Sequence, residues 1–373
     1  MSPVVMVIGA GPAGLATSRE LTRAGVEHVV FERGEHAGET WANLYDSLVL
    51  HTARRLSALP GLAFPPSTPL FPGRNDFVQY LHRYAETFRV PISTETEVTA
   101  LRRTNGAWTA TTQTGQVISA PFAVVATGIV SNPVQPEIPN RREYSGRVMH
   151  SVDYRRPEGF AGQRILVVGV GNSAGEISAE LAHAGAAVTV AVRSGATVVP
   201  RDVAGVPIQY LAVPLSHLPK PLQAFMAATI GRLSELVCGP AVLPRPAGTG
   251  CRQVPLIGFH LPDAIRSGAI RLQRGVEAFT ADGVRFAGGI TESFETVILA
   301  TGYRAALGLL GSAVHTDACG FAMRHGLVAS ADDPSLFFVG HNYDLRGGLL
   351  NIGRDARLAV RQIVARRLTA AKA

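Results

Sequence analysis

A chain of 373 residues that is 46% apolar is about twice the size of a usual single domain and can bury a large core, which sets aside disordered and fibrous classes. Its net charge of +7 invites a nucleic-acid partner, but the arginines are scattered and lysine occurs only at Lys220 and Lys372, so no basic arm forms and nucleic-acid binding is not expected. Cys238, Cys251 and Cys319 lie far apart with no C-x-x-C pair, against both a dithiol redox centre and a disulfide framework. The histidines lack metal-ligand spacing, so no metal site is expected. The longest apolar stretch, 221–243, is broken by Arg232 and Glu235, so no membrane span and a soluble, cytoplasmic protein are expected. The apolar amino terminus lacks the basic flank of a signal peptide and is read as part of the fold.

The first element is a β-branched run, Val4 to Ile8, which ends in "GAGPAGLATSRELTRAG", where glycines give way to a helical pattern closing at Gly25. "HVVFERG" follows as a second strand with an acid, Glu32, at its end. This is a β-turn-α-β unit with G-x-G-x-x-G at Gly9, Gly11 and Gly14. In such a unit the first glycine makes the tight turn, the second lets the backbone approach a pyrophosphate, and the third lets helix and strand pack; Pro12 and Ala13 open the helix whose N-terminus attracts the phosphates. Glu32, with Arg33 beside it, is positioned to accept hydrogen bonds from a free ribose.

Between Val90 and Ile118, short strands that include Val98 and are separated by Asn105-Gly106 and Thr114-Gly115 predict an antiparallel meander. A buried strand then closes on Ala126-Thr127-Gly128. The pattern recurs from 163 as "QRILVVGVGNSAGEISAELAHAGAAVTVAVRSG", a strand, G-x-G-x-x-A at Gly169, Gly171 and Ala174, a helix opened by Asn172 and Ser173, and a strand ending at Arg193 and Ser194. Where the first unit carries an acid, this one carries a guanidinium that can grip a 2′-phosphate, so the second site favours NADPH over NADH. A shorter meander is expected around Ile270 to Phe294, and "TVILATG" closes on Ala300-Thr301-Gly302, a diverged internal duplication.

The predicted architecture is α/β, with two Rossmann-like dinucleotide-binding domains, each carrying a small antiparallel meander. The expected boundaries are a first FAD-binding part at 1–155, an inserted NADPH-binding domain at 156–295 and a return segment at 296–373. That return holds a buried strand, a Gly-rich turn at Gly340 and a helix containing Leu349, whose N-terminus is a further acceptor-facing candidate. An acid-tipped and an arginine-tipped site in one chain imply bound FAD and exchangeable NADPH, with hydride passing to the flavin. Without paired cysteines to relay electrons, oxygen is the favoured acceptor. The Pro-rich segment Arg201 to Leu256 is expected either to cover the substrate entrance as helices or to pack between domains.

"YSGRVMHSVDY", Tyr144 to Tyr154, resembles the F-x-G-x-x-x-H-x-x-x-F/Y fingerprint of the flavin-containing monooxygenases, with Gly146, His150 and Tyr154 in register. "GAGPAGLA", "GVGNSAGE", "VRS" and "ILATGY" are similar to the family's FAD loop, NADPH loop, 2′-phosphate contact and second Ala-Thr-Gly element, while "VRSGATVVPRDV" and "LPDAIRSGAI" look most like the branch of the plant indole-pyruvate monooxygenases. The resemblance implies that NADPH reduces FAD, that oxygen adds at flavin C4a, and that a small organic substrate takes one oxygen atom, at nitrogen or sulfur as the first reading. Baeyer–Villiger insertion or oxidative decarboxylation of a 2-keto acid is the alternative, and a non-oxygenating NADPH/flavin electron carrier or redox sensor the alternative from another class. Tyr154-Arg155 stands where Baeyer–Villiger relatives carry Trp-Pro or Trp-Asp, which favours the monooxygenase branch over the Baeyer–Villiger one. Partners are then the small molecule and O2, with a homodimer left open. Trp41 belongs to a segment similar to the one beside the family's flavin, although the family's G-G-x-W reads Gly38-Glu39-Thr40-Trp41 here. His51 and His150 are the candidate catalytic residues: His51 falls where many relatives carry Asn, and His150 is expected to bond backbone and to control coupling between NADPH and product.

Overall fold

The computed structural model describes residues 3–203, 205–215, 219, 221–222, 241–244, 246, 255–343 and 346–370. The chain forms two compact units, one of residues 1–43, 52–132 and 303–373, the other of residues 44–51 and 133–302. In chain order, the first unit opens with β1 (Val5–Ile8), α1 (Pro12–Arg23), β2 (His28–Phe31), α2 (Arg74–Thr87), β3 (Ile92–Ser93), β4 (Val98–Thr104), β5 (Ala107–Thr112), β6 (Val117–Ala120) and β7 (Phe122–Val125). The second unit contains β8 (Arg147–His150), β9 (Arg164–Val168), α3 (Asn172–His183), β10 (Ala187–Val192), α4 (His260–Arg266), β11 (Ile270–Arg274), β12 (Val276–Phe279), β13 (Gly283–Phe286), β14 (Thr291–Ser293) and β15 (Thr296–Leu299). The chain ends in the first unit with β16 (Arg324–His325), β17 (Ala329–Ser330), β18 (Leu336–Phe338) and α5 (Gly348–Ala370).

The first unit is built on a seven-stranded sheet of order β16-β17-β18-β7-β1-β2-β3. Its centre is parallel, β1 lying between β2 and β7. Parallel strands need both faces covered, and the side-chain alternation of a strand divides the work. Met6, Ile8, Val125 and Phe338 pack with Leu101 and Trp108 of the β4-β5-β6 meander. Trp108 is fully buried and its indole N–H donates to Ser335 Oγ at 2.9 Å, which satisfies its one polar atom.

The second unit repeats the plan with a five-stranded parallel sheet, β11-β10-β9-β15-β8. Ile165, Val167, Val188 and Val190 face Ala174, Ile177 and Leu181 of α3 and Leu261 of α4. Leu166, Ala191 and Leu299 point the other way, onto Phe279, Val284 and Phe286 of the β12-β13-β14 meander. The meander is shorter than the expected stretch, because Ile270–Arg274 joins the parallel sheet beside β10 instead.

The "YSGRVMHSVDY" stretch is the edge of this second sheet. β8 pairs in parallel with β15, Leu299 opposite His150, so both strands lie inside the unit. The chain passes between the units at 43–44, 51–52, 132–133 and 302–303, so the expected divisions after residues 155 and 295 fall inside the second unit. The physical reason is register: a strand hydrogen-bonded along its length to a sheet cannot belong to another domain. Of the segment Arg201 to Leu256, Ile208–Leu215 is helical; most of the remainder, with Cys238 and Cys251, lies outside the described residues. Cys319 is half-buried. Among the described residues no helix is long and apolar enough to cross a membrane.

Tyr144 explains the glycine of that stretch. Its hydroxyl donates to the Phe294 carbonyl at 2.8 Å, and its ring crosses directly over Gly146. A Cβ on Gly146 would lie 2.3 Å from Tyr144 Oη and 2.9 Å from the Glu295 carbonyl oxygen. Gly146→Ala is expected to cost about 1–3 kcal/mol of stability through overpacking, measured by chemical denaturation.

Candidate dinucleotide sites and a half-buried carboxyl cluster

In the first unit, β1 runs into Gly9, whose φ of +101° only glycine adopts without strain. Its missing side chain is also required, since a Cβ would stand 2.8 Å from the Ala126 carbonyl oxygen; one on Gly14 would stand 1.8 Å from the Gly9 carbonyl oxygen. Gly11 differs: a Cβ there meets nothing within 4 Å. It is extended, caps α1 without a side-chain hydrogen bond, and is followed by Pro12 at the first helical position. The loop therefore leaves an open approach over the N-terminal N–H groups of α1, which fits a pyrophosphate.

Glu32 lies in that loop's frame. The Ala10 N–H donates to one carboxylate oxygen at 2.7 Å and the Gly34 N–H to the other at 3.0 Å. Each oxygen keeps a further lone pair, so the carboxylate both fixes the loop and retains acceptor capacity toward a ribose. Arg33 is exposed, Val98 is a core residue, and Trp41 packs edge-on against Phe77 at 4.7 Å. Glu39 opens the short helix Glu39–Ala42, so the second glycine of the related pattern is not needed for this turn. Gly340 rests against Ala13 at the start of α1, at 3.1 Å from a would-be Cβ, and Leu349 is buried in the first turn of α5.

The second unit copies this geometry. Gly169 has φ of +124°, and a Cβ on it would stand 2.3 Å from the Ala300 carbonyl oxygen; at Gly171 it would meet nothing within 4 Å. Ala174 is fully buried in place of a third glycine, and Ser173 follows Asn172 into α3. Asn172, a candidate cofactor contact, also pins the chain beside the helix: its amide donates to the Pro255 carbonyl at 3.2 Å and its carbonyl accepts from the Ile257 N–H at 2.7 Å. Arg193 and Ser194 follow β10 and are exposed. A helix N-terminus below and a guanidinium at the strand end are the donor set that a phosphorylated ribose calls for, so NADPH fits here.

The two Ala-Thr-Gly elements share a role that their sequence does not reveal. Thr127 donates to the Ala306 carbonyl at 2.8 Å, and Thr301 donates to the Val134 carbonyl at 2.5 Å. Each threonine hydroxyl thus fastens, within its own unit, the chain that has just crossed over or is about to. Gly128 and Gly302 follow with φ of +67° and +87° and open surroundings.

His150, at the end of β8, is 2% exposed. Its Nδ1 accepts the Val152 N–H at 3.1 Å, while the His150 backbone N–H donates to Asp153 Oδ2 at 3.2 Å. Burial holds its pKa below the usual value, against Asp153 and the Gly302 backbone, which raise it. A neutral ring bonded to backbone is the arrangement expected for it.

The segment Leu44–His51 joins the second unit although the residues on either side of it belong to the first. Tyr45, 4% exposed, donates to Glu176 Oε2 of α3 at 2.5 Å. At the other end, His51 Nε2 stands 3.5 Å from Glu176 Oε1. One turn along α3, Glu180 accepts from Tyr154 at 2.8 Å, and the Tyr45 and Tyr154 rings are 6.4 Å apart. Burial pushes Glu176 up to about 7, opposed by the Tyr45 hydrogen bond and Arg201. Burial pushes His51 down to about 4, assisted by Arg201 and His260. Glu176 therefore takes up a proton on folding, and its contribution to stability falls as pH rises from about 4.5 to about 7. His51 is held neutral, and its contribution falls as pH drops from about 6.5 to about 4. Motif reading picked out His51 but not Tyr45 or Glu176; Glu176 lies in the quoted "GVGNSAGE", and the partner 131 positions away is what makes it a candidate.

The contrast between the glycines of one loop is testable. Gly169→Ala is expected to lower the melting temperature with no dinucleotide present, because it forces backbone against backbone. Gly171→Ala should leave the melting temperature unchanged and weaken NADP+ binding about ten-fold, as read by calorimetry, since it fills only the phosphate approach.

A family model described as flavin-binding monooxygenase-like matches residues 3–320. The indole-3-pyruvate monooxygenase YUCCA1 of Oryza sativa subsp. japonica is 36% identical over 313 residues, covering 81% of this chain and 77% of that protein. The probable indole-3-pyruvate monooxygenase YUCCA1 of Arabidopsis thaliana is 33% identical over 314 residues, covering 80% and 75%. Among solved structures, a flavin-containing monooxygenase from Stenotrophomonas maltophilia superposes with a TM-score of 0.77 over 98% of this chain and 99% of that one, at 24% identity, a likeness of fold. With two glycine loops shaped for dinucleotides and a family match over most of its length, the chain belongs to the flavin-binding monooxygenase-like family and is an FAD- and NADPH-dependent monooxygenase.

Proposed function

We propose that the substrate is a 2-oxo acid with an aromatic side chain, of the indole-pyruvate type, which is oxygenated with loss of carbon dioxide. The observation that carries this reading is the 36% identity, over 81% of the chain, to a protein named for that activity. The balance is simple: one oxygen atom of O2 enters the acid one carbon shorter, the other leaves as water, and NADPH supplies two electrons. Bound FAD supplies the site at which those electrons meet oxygen. The chain's own residues bind, orient and exclude water. Oxygenation at nitrogen or sulfur is the second reading, since Tyr154-Arg155 at the end of the fingerprint sets the chain apart from the Baeyer–Villiger branch. A cytoplasmic setting, where thiols stay reduced, suits either chemistry.

In this reading the loop Gly9–Gly14, with Glu32, Ala126 and Gly128, holds FAD, and Gly169, Gly171, Ser173 and Ala174 hold the NADPH pyrophosphate. Arg193 and Ser194 take the 2′-phosphate. His51 and His150 act on coupling: each is a neutral, desolvated ring, suited to holding geometry rather than to shuttling protons at neutral pH.

Incubating FAD-loaded protein with NADPH and, separately, indole-3-pyruvate, phenylpyruvate, a tertiary amine and a thioether tests the substrate. Carbon dioxide and the shortened acid should form with the 2-oxo acids; oxygenated amine or sulfide without decarboxylation would overturn the first reading in favour of the second. His51→Ala and His150→Ala are expected to keep FAD but raise hydrogen peroxide released per NADPH. Arg193→Ser should narrow the preference for NADPH over NADH by about ten-fold, the worth of a charge-assisted phosphate contact.

A further inference from the structure

We propose that Glu176 is a positioning residue for NADPH: its single carboxyl group fastens both ends of the segment Leu44–His51 to the helix that receives the dinucleotide. The geometry is convergent. Tyr45, near the start of the segment, takes Oε2 at 2.5 Å, and His51, at its end, faces Oε1 at 3.5 Å. Other contacts hold the same two ends. The Asp46 N–H donates to the Arg155 carbonyl at 2.8 Å and its carboxylate pairs with the Arg155 guanidinium at 3.4 Å, while Gln209 donates to the His51 carbonyl at 2.8 Å. The segment is thereby clasped at both ends, and Glu176 is the residue common to the two.

Its place in α3 gives the clasp a bearing on the cofactor. Glu176 is the fifth helical residue, about 7 Å along the axis from the helix N-terminus. A negative charge there opposes the positive end of the helix dipole and repels incoming phosphates. A neutral carboxyl avoids both effects, with Oε1 facing the neutral ring of His51 at 3.5 Å and Oε2 accepting from Tyr45. The groups around it are Tyr45 and His51 from the segment, Arg201 from the chain after β10, Glu180 from its own helix, and His260, which faces His51 from α4. Burial outweighs Arg201 in setting the carboxyl near neutrality, so dinucleotide affinity is expected to fall as pH rises through about 7.

Glu176→Gln copies the neutral acid: the amide oxygen accepts from Tyr45, the amide nitrogen faces His51, and the group is uncharged at every pH. NADP+ binding to FAD-loaded protein is measured by calorimetry from pH 6 to 8.5, and the ratio of wild-type to Glu176→Gln dissociation constants is taken at each pH. The 2′-phosphate titrates alike with both proteins and cancels in the ratio. The ratio should rise about five-fold across the range, the effect of one charge at this distance in a partly screened site. Hydrogen exchange at 44–51 should be wild-type-like in Glu176→Gln and about ten-fold faster in Tyr45→Phe and Glu176→Ala. A ratio that stays constant with pH overturns the proposal, and so does unchanged exchange at 44–51 in both Tyr45→Phe and Glu176→Ala. If Glu176→Ala does not fold, Tyr45→Phe and Glu176→Gln carry the test. No organic substrate is present, so the outcome does not depend on which substrate reading is right.

Discussion

Backbone against backbone, with no side chain between, is the contact on which both halves of this protein depend. Gly9 presses on the Ala126 carbonyl and Gly169 on the Ala300 carbonyl. Each contact locks the turn after the first strand onto the strand beside it, and so aims the following helix N-terminus at one point above the sheet edge. A methyl group at either glycine would push the helix away. The phosphate approach at Gly11 and Gly171 stays open only because their neighbours are so tightly held.

From that constraint the two sites diverge by what stands at the end of the second strand. Glu32 is drawn into its own loop by the Ala10 and Gly34 N–H groups, which fix its carboxylate without exhausting its lone pairs. Arg193 is exposed and extends beyond β10. One site is thus finished in advance for an uncharged ribose, and the other presents a cation to a phosphorylated one. The preference for each cofactor follows from electrostatics at a single position in each copy.

Much of this was legible in the residues themselves. Glycine spacing, the strand runs and the contrast of Glu32 with Arg193 are local, and local pattern is what short-range sterics leave in a sequence. The boundaries were less so. The stretch from Tyr144 to Tyr154 reads as a connector because its hydrogen-bonding partners, Phe294 to Leu299, are about 150 positions away, and only the register of β8 on β15 makes it an edge strand. Asn172 has partners that the sequence hides for the same reason: Pro255 and Ile257 are 83 and 85 positions away, at a short strand that propensity alone does not bring to the helix.

The sequence by itself determined the two-fold α/β plan, the pair of dinucleotide loops and the family, since these rest on spacings within about thirty residues, where chain geometry leaves few alternatives. Tertiary structure decided where one unit ends and the next begins, that Thr127 and Thr301 hold the crossing chain, and that Tyr45, His51 and Glu176 meet. Those outcomes are set by long-range packing: a carboxyl desolvated by burial and hydrogen-bonded by a tyrosine 131 residues earlier has a proton affinity that no neighbour in sequence reports.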